Sequence, residues 1–280
     1  MRSMKGWIAL DIDGTITQDR YSIPKPVIQY LTEVAGEGWR IVFITGRAFS
    51  FAKKALEDLP FSFILGVQNG STILDMPSKE ILHRKYLPAN TLPLLEAACE
   101  GMKTGLLVYS GYENQDRCYF RPSQFTEEDL VYVEEIQKRE KELWIPVDQF
   151  EISFDIPLIK CFGKLDVMKK IKTRLSSLER FQITLIRDPF RPAYYLLLIT
   201  DIHTSKGSAL HDILSSEGRG SLVIAAGDDE NDISLLKEAD IKIAMPHAPE
   251  SLRKIADFIA PPTEEFGIIH ALRIALQRNS

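Results

Sequence analysis

The sequence predicts an α/β protein: a parallel-sheet core interrupted by an inserted α+β domain. Three observations predict it. Strand candidates near both ends of the chain are almost wholly apolar instead of alternating, as expected of parallel strands covered on both faces by helices. Each of these strands ends in small or polar residues, at the edge where open α/β sheets bind ligands. Between residues 86 and 198, strand candidates instead come in pairs joined by short turns, which suggests an antiparallel sheet with helices on one face.

The elements follow in order. Trp7 to Leu10 is a short apolar strand running into Asp11-Ile12-Asp13-Gly14. A helix entered by Pro24 and Pro26 carries Val27, Tyr30, Leu31 and Val34 at helical spacing, and Gly36 and Gly38 end it. Arg40 to Ile44 is a strand stopping at Thr45-Gly46-Arg47, Ala48 to Leu59 a helix, and Phe61 to Val67 a strand ending at Gln68-Asn69-Gly70. The middle reads α-β-β-α-β-α-β-β, with helices at Leu92 to Met102, Glu127 to Leu143 and Lys164 to Leu178. Its strands lie near Leu106 to Tyr109, Arg117 to Phe120, Phe154 to Phe162, Gln182 to Ile186 and Tyr194 to Ile199. The first pattern then resumes: a helix from Lys206 to Leu214, a strand from Leu222 to Ala226 ending in Gly227-Asp228-Asp229, and a helix from Asn231 to Ala239. A strand at Ile241 to Met245, a helix at Ser251 to Ala256, a short strand at Phe258 to Ala260 and a helix from Glu264 to Gln277 complete it. The domains expected are therefore a core from 1–85 and 199–280 and an inserted domain from 86–198.

Composition narrows the function. The 280 residues leave room for about two domains. Hydrophobic residues make up 45% and charged residues 26%, an ordinary globular balance. A net charge of -5 and a pI near 5.7 argue against a general binder of nucleic acid or of anionic membranes. No apolar run approaches the length of a membrane span, and Trp7 to Leu10 runs straight into Asp11 and Asp13, unlike a signal peptide. Cys99, Cys118 and Cys161 form no C-x-x-C pair and no disulfide framework, so a reducing, cytoplasmic setting is expected.

Four motifs carry chemistry. In an extended segment Asp11 and Asp13 point to the same side, so two carboxylates project together from the end of a buried strand. A divalent cation relieves their repulsion, and hard oxygen ligands suit Mg²⁺; turn or cap aspartates are the alternative. Thr45-Gly46-Arg47 offers a hydroxyl and free N–H groups at a helix start, suited to an anion or simply to N-capping. Lys206-Gly207 places a lysine at a helix N-terminus, where a nearby phosphate or carboxylate would offset the unfavourable macrodipole, unless the lysine is a solvated one. Gly227-Asp228-Asp229-Glu230-Asn231-Asp232 holds more acid than capping needs, which a Mg²⁺ site with supporting carboxylates explains. Asp229 reads as the helix N-cap, with a carboxylate supporting the metal site as the alternative. His83, His203, His211, His247 and His270 are scattered without metal-ligand spacing and read as surface or structural histidines.

The ordered set D-I-D-G-T, T-G-R, K-G and G-D-D-E-N-D resembles the haloacid dehalogenase superfamily of aspartate-nucleophile phosphohydrolases, and within it the Cof-type, sucrose-phosphatase-like subfamily IIB. Asn69-Gly70, Ile243-Ala244-Met245 with His247-Ala248, and Ala256-Asp257 support the resemblance. It implies a Rossmann-like core with a type II cap domain. It further implies Asp11 as nucleophile, Asp13 as general acid and base, and Thr45, Gly46 and Lys206 holding the phosphoryl group, with Asn69 on the substrate side. Mg²⁺ would sit on Asp11, the Asp13 carbonyl and Asp228, with Asn231 and Asp232 orienting that shell. A carboxylate at position 13 favours phosphate-ester hydrolysis over dehalogenation. The implied partner is a small-molecule phosphate ester, a sugar phosphate or a phosphorylated cofactor, and the chain would act as a monomer or homodimer. A phosphomutase, or a regulatory protein that binds a phosphorylated ligand without turnover, are the alternatives. Substrate choice would fall to the inserted domain, where Arg117, Arg121, Lys160, Arg187 and Arg191, with Tyr109, Tyr112, Tyr119 and Tyr195, are candidates, each equally readable as an edge or core residue.

Overall fold

A computed structural model describes residues 4–19, 21–140, 143–188 and 190–277. The chain divides into two units. The first comprises the chain up to Arg47, Ala52–His83 and everything from Ser205 onward; the second comprises Ala48–Phe51 and Arg84–Thr204.

The first unit opens with β1 (Gly6–Leu10), α1 (Lys25–Gly36), β2 (Trp39–Ile44), α2 (Phe49–Leu56, whose first three residues group with the second unit), β3 (Phe63–Val67), β4 (Thr72–Met76) and β5 (Ile81–Arg84, whose last residue does so too). All five residues of β1 are buried, which is why the strand carries no polar alternation. Proline at the first turn of α1 fits a position whose N–H has no intrahelical acceptor. β4 and β5 were not legible in the sequence. β4 runs antiparallel to β3, and Asp75 breaks its apolar run, while β5 is a short, half-exposed edge strand.

The second unit contains α3 (Leu92–Cys99), β6 (Leu107–Tyr109), β7 (Cys118–Phe120), α4 (Glu127–Glu140), β8 (Trp144–Pro146), β9 (Leu158–Gly163), α5 (Leu165–Ser176), β10 (Phe181–Arg187) and β11 (Tyr195–Asp201). Residues 141 and 142, which the helix prediction included, lie outside the described residues. The strands form a six-stranded sheet in the order β10-β11-β9-β6-β7-β8, antiparallel except where β7 meets β8. Its helices are not confined to one face, which corrects the sequence expectation. Val108, Ile159, Cys161, Leu197 and Ile199 pack with residues of α3 and α5. The alternate residues Leu107, Tyr109, Leu158, Phe162 and Leu198 pack with Tyr132, Val133 and Ile136 of α4. The alternation follows from the two-residue repeat of a strand. β11 runs on to Asp201 because it pairs with β10 along its whole length, which carries this unit past residue 198.

The first unit resumes with α6 (Lys206–Glu217), β12 (Leu222–Gly227), α7 (Ile233–Lys237), β13 (Ile241–Ala244), α8 (Glu250–Arg253), β14 (Phe258–Ile259) and α9 (Gly267–Gln277). Its sheet order is β14-β13-β12-β1-β2-β3-β4-β5. β1 is central and parallel to both neighbours, with Leu10 paired to Ala226 on one side and Phe43 on the other. Register therefore brings Asp11, Ile44 and Gly227 to one level, and the motifs that follow them converge at one edge. Among the described residues no helix is long and apolar enough to cross a membrane.

Candidate active site

Asp11 follows the last residue of β1 and is 3% exposed. Its Oδ1 accepts a 2.5 Å hydrogen bond from the Lys206 ammonium, which also donates to Asp232 Oδ1 at 2.6 Å. Lys206 is 2% exposed, so the alternative of a solvated surface lysine does not apply. A capping box between Ser205 and Ser208 starts α6 and fixes Lys206 at its first position. Gly207 lets α6 approach the next helix closely, since a Cβ there would lie 2.3 Å from the Ser234 carbonyl oxygen.

Asp228 follows β12, and Asp11, Asp228 and Asp232 each place a carboxylate oxygen within 4.8 Å of the others. Asp232 has no idle oxygen: Oδ1 takes Lys206, and Oδ2 accepts the N–H groups of Asp228 and Asp229, both at 3.0 Å. It braces the loop that presents Asp228. The Asp229 side chain accepts the Glu230 N–H at 2.7 Å, as an N-cap does. Gly14 is left-handed at φ 72°, and a Cβ there would stand 2.3 Å from Asp228 Oδ2.

Burial pushes the Asp11 carboxyl well above the usual carboxylate range; Lys206 opposes the shift, while Asp232, Asp228 and Asp13 reinforce it. Burial does the same to Asp228, with Asp232 and Asp229 adding repulsion. Asp229 is pushed up to about 6, chiefly by burial. Burial works against the Lys206 ammonium, but Asp11 and Asp232 outweigh it and raise its pKa. The surplus is negative, the donors are hard oxygens, and two buried acids resist ionising without further positive charge. That donor set fits a hard divalent cation.

The second motif lies on the other side of β1. Thr45 is fully buried, its Oγ1 accepts the Arg47 N–H at 3.2 Å, and its carbonyl accepts the Asn69 N–H at 2.8 Å. Asn69 is left-handed at φ 60°. Its Oδ1 accepts from Asn231 Nδ2 at 3.0 Å, so Asn231 turns toward Asn69 and Gly46. Asp13 is held by Arg47, whose Nε reaches Oδ2 at 2.8 Å and whose Nη2 reaches Oδ1 at 2.7 Å.

Two contacts were not foreseen. In the sequence Arg47 stands only as the end of T-G-R, and His247, which reads as a surface or structural histidine, is indeed exposed. His247 Nε2 lies 3.0 Å from Asp228 Oδ2. The signal available was position: His247 follows β13, the parallel neighbour of β12. In the second unit most candidate side chains meet internal partners. Arg121 pairs with Glu96 at 2.6 Å, Arg117 donates to Gln115 at 2.5 Å, Arg187 donates to the Pro192 carbonyl at 3.0 Å, and Arg191 pairs with Glu128. Lys160 lies over the buried Tyr109 ring at 4.7 Å, and the Tyr112 and Tyr119 rings meet those of Phe49 and Phe154 at tilted angles. Tyr195 packs against the apolar cluster shared with α3 and α5. The three cysteines are buried and none is in a disulfide.

Residues 8–272 match the haloacid dehalogenase-like hydrolase family, and the chain belongs to that family. Particular relatives are distant but cover nearly the whole chain. It is 24% identical to the 5-amino-6-(5-phospho-D-ribitylamino)uracil phosphatase YcsE of Bacillus subtilis, over 95% of this chain and 94% of that one. It is 25% identical to a phosphoglycolate phosphatase of Methanobrevibacter smithii, over 95% of this chain and 96% of that one. The fold matches that of a haloacid dehalogenase subclass IIB sugar phosphatase, BT4131, with a TM-score of 0.76 at 21% identity, over 96% of this chain and 98% of that one.

Proposed function

We propose that the chain is a Mg²⁺-dependent phosphatase that hydrolyses a small phosphorylated metabolite, a sugar phosphate or a phosphorylated cofactor, through an aspartyl-phosphate. The observation that carries this reading is the buried Asp11 carboxylate, held by Lys206 at 2.5 Å beside Asp228. Asp11 attacks phosphorus, and as that bond forms the bond from phosphorus to the leaving oxygen breaks. Asp13 gives the leaving oxygen its proton, then takes one from the water that attacks the aspartyl-phosphate, so phosphate departs and Asp11 is restored. Thr45, the Gly46 N–H and Lys206 hold the phosphoryl oxygens, with Asn69 beside them. Asn231 and Asp232 orient the groups around Asp228. The Asp11 carboxylate, the Asp13 carbonyl and Asp228 would hold Mg²⁺, which supplies the neutralising charge that lets a carboxylate meet a phosphate dianion. The names of the relatives support small phosphate esters as the substrate class.

The test is phosphate release with Mg²⁺ across sugar phosphates, phosphoglycolate, pyridoxal phosphate, flavin mononucleotide and nucleotides. Release that EDTA stops is expected. Release indifferent to EDTA, or none from any compound, overturns the reading, and isomerisation dependent on a bisphosphate would point to a mutase.

Mg²⁺ is also expected to stabilise the fold more as pH rises. The folded-state pKa values of Asp11 and Asp228 are raised, so their contribution to stability is full below the ordinary carboxylate pKa and is lost as pH climbs through the raised values. A bound cation must displace those protons at low pH and finds the acids ionised at high pH. Thermal melts at about pH 5 and about pH 8 should show a small and a large Mg²⁺ shift respectively, the latter worth about 2.7 kcal/mol when Mg²⁺ stands ~100-fold above its dissociation constant. An equal shift at both values would refute the coupling.

A further inference from the structure

We propose that Arg47 is a positioning residue for proton transfer: its fork fixes the Asp13 carboxyl so that one oxygen faces the leaving group. This rests on the phosphatase reading and goes beyond it by giving a role to a side chain outside the expected catalytic set.

The geometry is specific. The Arg47 side chain is 4% exposed, whereas that of Asp13 is 34% exposed. Both bonds of the pair are short, 2.8 and 2.7 Å, and each carboxyl oxygen takes one of them. A carboxylate offers about four acceptor directions, so a two-pronged donor halves them and stops rotation of the group. The Arg47 backbone is itself fixed. Its N–H donates to Thr45 Oγ1 at 3.2 Å, and its carbonyl accepts the Gln68 N–H at 2.8 Å. The residue that closes the T-G-R motif thus ties the turn carrying Thr45 and Gly46 to the orientation of Asp13.

A buried guanidinium serving only stability would need no pairing with the one carboxylate that must move a proton. Lysine would preserve the charge but not the fork. As phosphorus passes to Asp11 and the leaving P–O bond breaks, the Asp13 proton goes to the departing oxygen. A misoriented carboxyl fails most where that oxygen is most basic.

The test is the leaving-group dependence of kcat/KM, measured with 4-nitrophenyl, 4-chlorophenyl and phenyl phosphate. These esters have similar shape, and only the poorer leaving groups need a proton. For Arg47→Lys and Arg47→Ala, phenyl phosphate should lose ~100-fold while 4-nitrophenyl phosphate loses ~3-fold or less, within the usual reach of acid catalysis. Combining Arg47→Lys with Asp13→Asn should cost nothing beyond Asp13→Asn alone, because the two act as one unit. Equal losses across the three esters, or additive losses in the double variant, would overturn the role. Arg47→Lys keeps the buried charge, so a folding failure of Arg47→Ala leaves the test intact. Wild type inactive on all three esters would sink the phosphatase reading first and the role of Arg47 with it; an active wild type with a uniform loss sinks only the role.

Discussion

Asp11→Asn is expected to abolish phosphate release, by ~10⁴-fold or more in kcat, while leaving a folded protein. Asparagine is nearly isosteric but has no anionic oxygen to attack phosphorus. The fold should survive because the charge removed is one that burial already disfavours. Lys206 keeps its second partner, Asp232, at 2.6 Å. The variant should therefore melt no lower than the metal-free wild type at alkaline pH and gain less from Mg²⁺. Phosphate release within ten-fold of wild type, measured on the best substrate, would remove Asp11 from the nucleophile role.

Lys206→Met is expected to be costly in a different way. The side chain is 2% exposed and stands between two carboxylates whose side chains are 5% and 0% exposed. Removing one partner of a buried ion pair leaves the remaining charges uncompensated, a loss of about 3–5 kcal/mol. Activity should vanish as well, because the remaining acids repel a phosphate dianion. The destabilisation should be largest at high pH and shrink on acidification, as Asp11, whose pKa burial raises, takes up a proton. Denaturant titrations at both ends of that range decide it: a change under about 1 kcal/mol at high pH would mean that water or a rearranged side chain replaces the ammonium.

The core was readable because its strands are apolar throughout and because catalytic residue types sit just past their ends. The positions of Asp11, Thr45 and Asp228 past strand ends followed from that rule, while the roles proposed for them came from the family resemblance of the motifs. The second unit's sheet was legible as pairs of strands but not in its coverage. Tyr132, Val133 and Ile136 of α4 bury the face opposite α3 and α5, and no local pattern says which face a helix will choose. β4 and β5 were missed because an interrupted, partly exposed hairpin has little periodicity to detect. Arg47 and His247 were missed for a related reason. Each meets a carboxylate that follows a different strand, and only the register of β2 on β1, and of β13 on β12, brings the partners together.

The central place of β1 carries a consequence for the birth of the molecule. One of its two sheet partners, β12, is made about 210 residues later. At ribosomal rates of about 5–20 residues per second, the nascent chain holds that strand edge unpaired for about 10–40 s. Over the same interval Asp11 lacks Lys206, the cation that offsets its burial. A chain broken off inside the second unit would carry β1 with its β2 edge paired and its β12 edge open. Synthesis through α6 and β12 thus covers the open edge of β1 and brings Lys206 to Asp11 together, so the site is assembled only in chains that have passed residue 227.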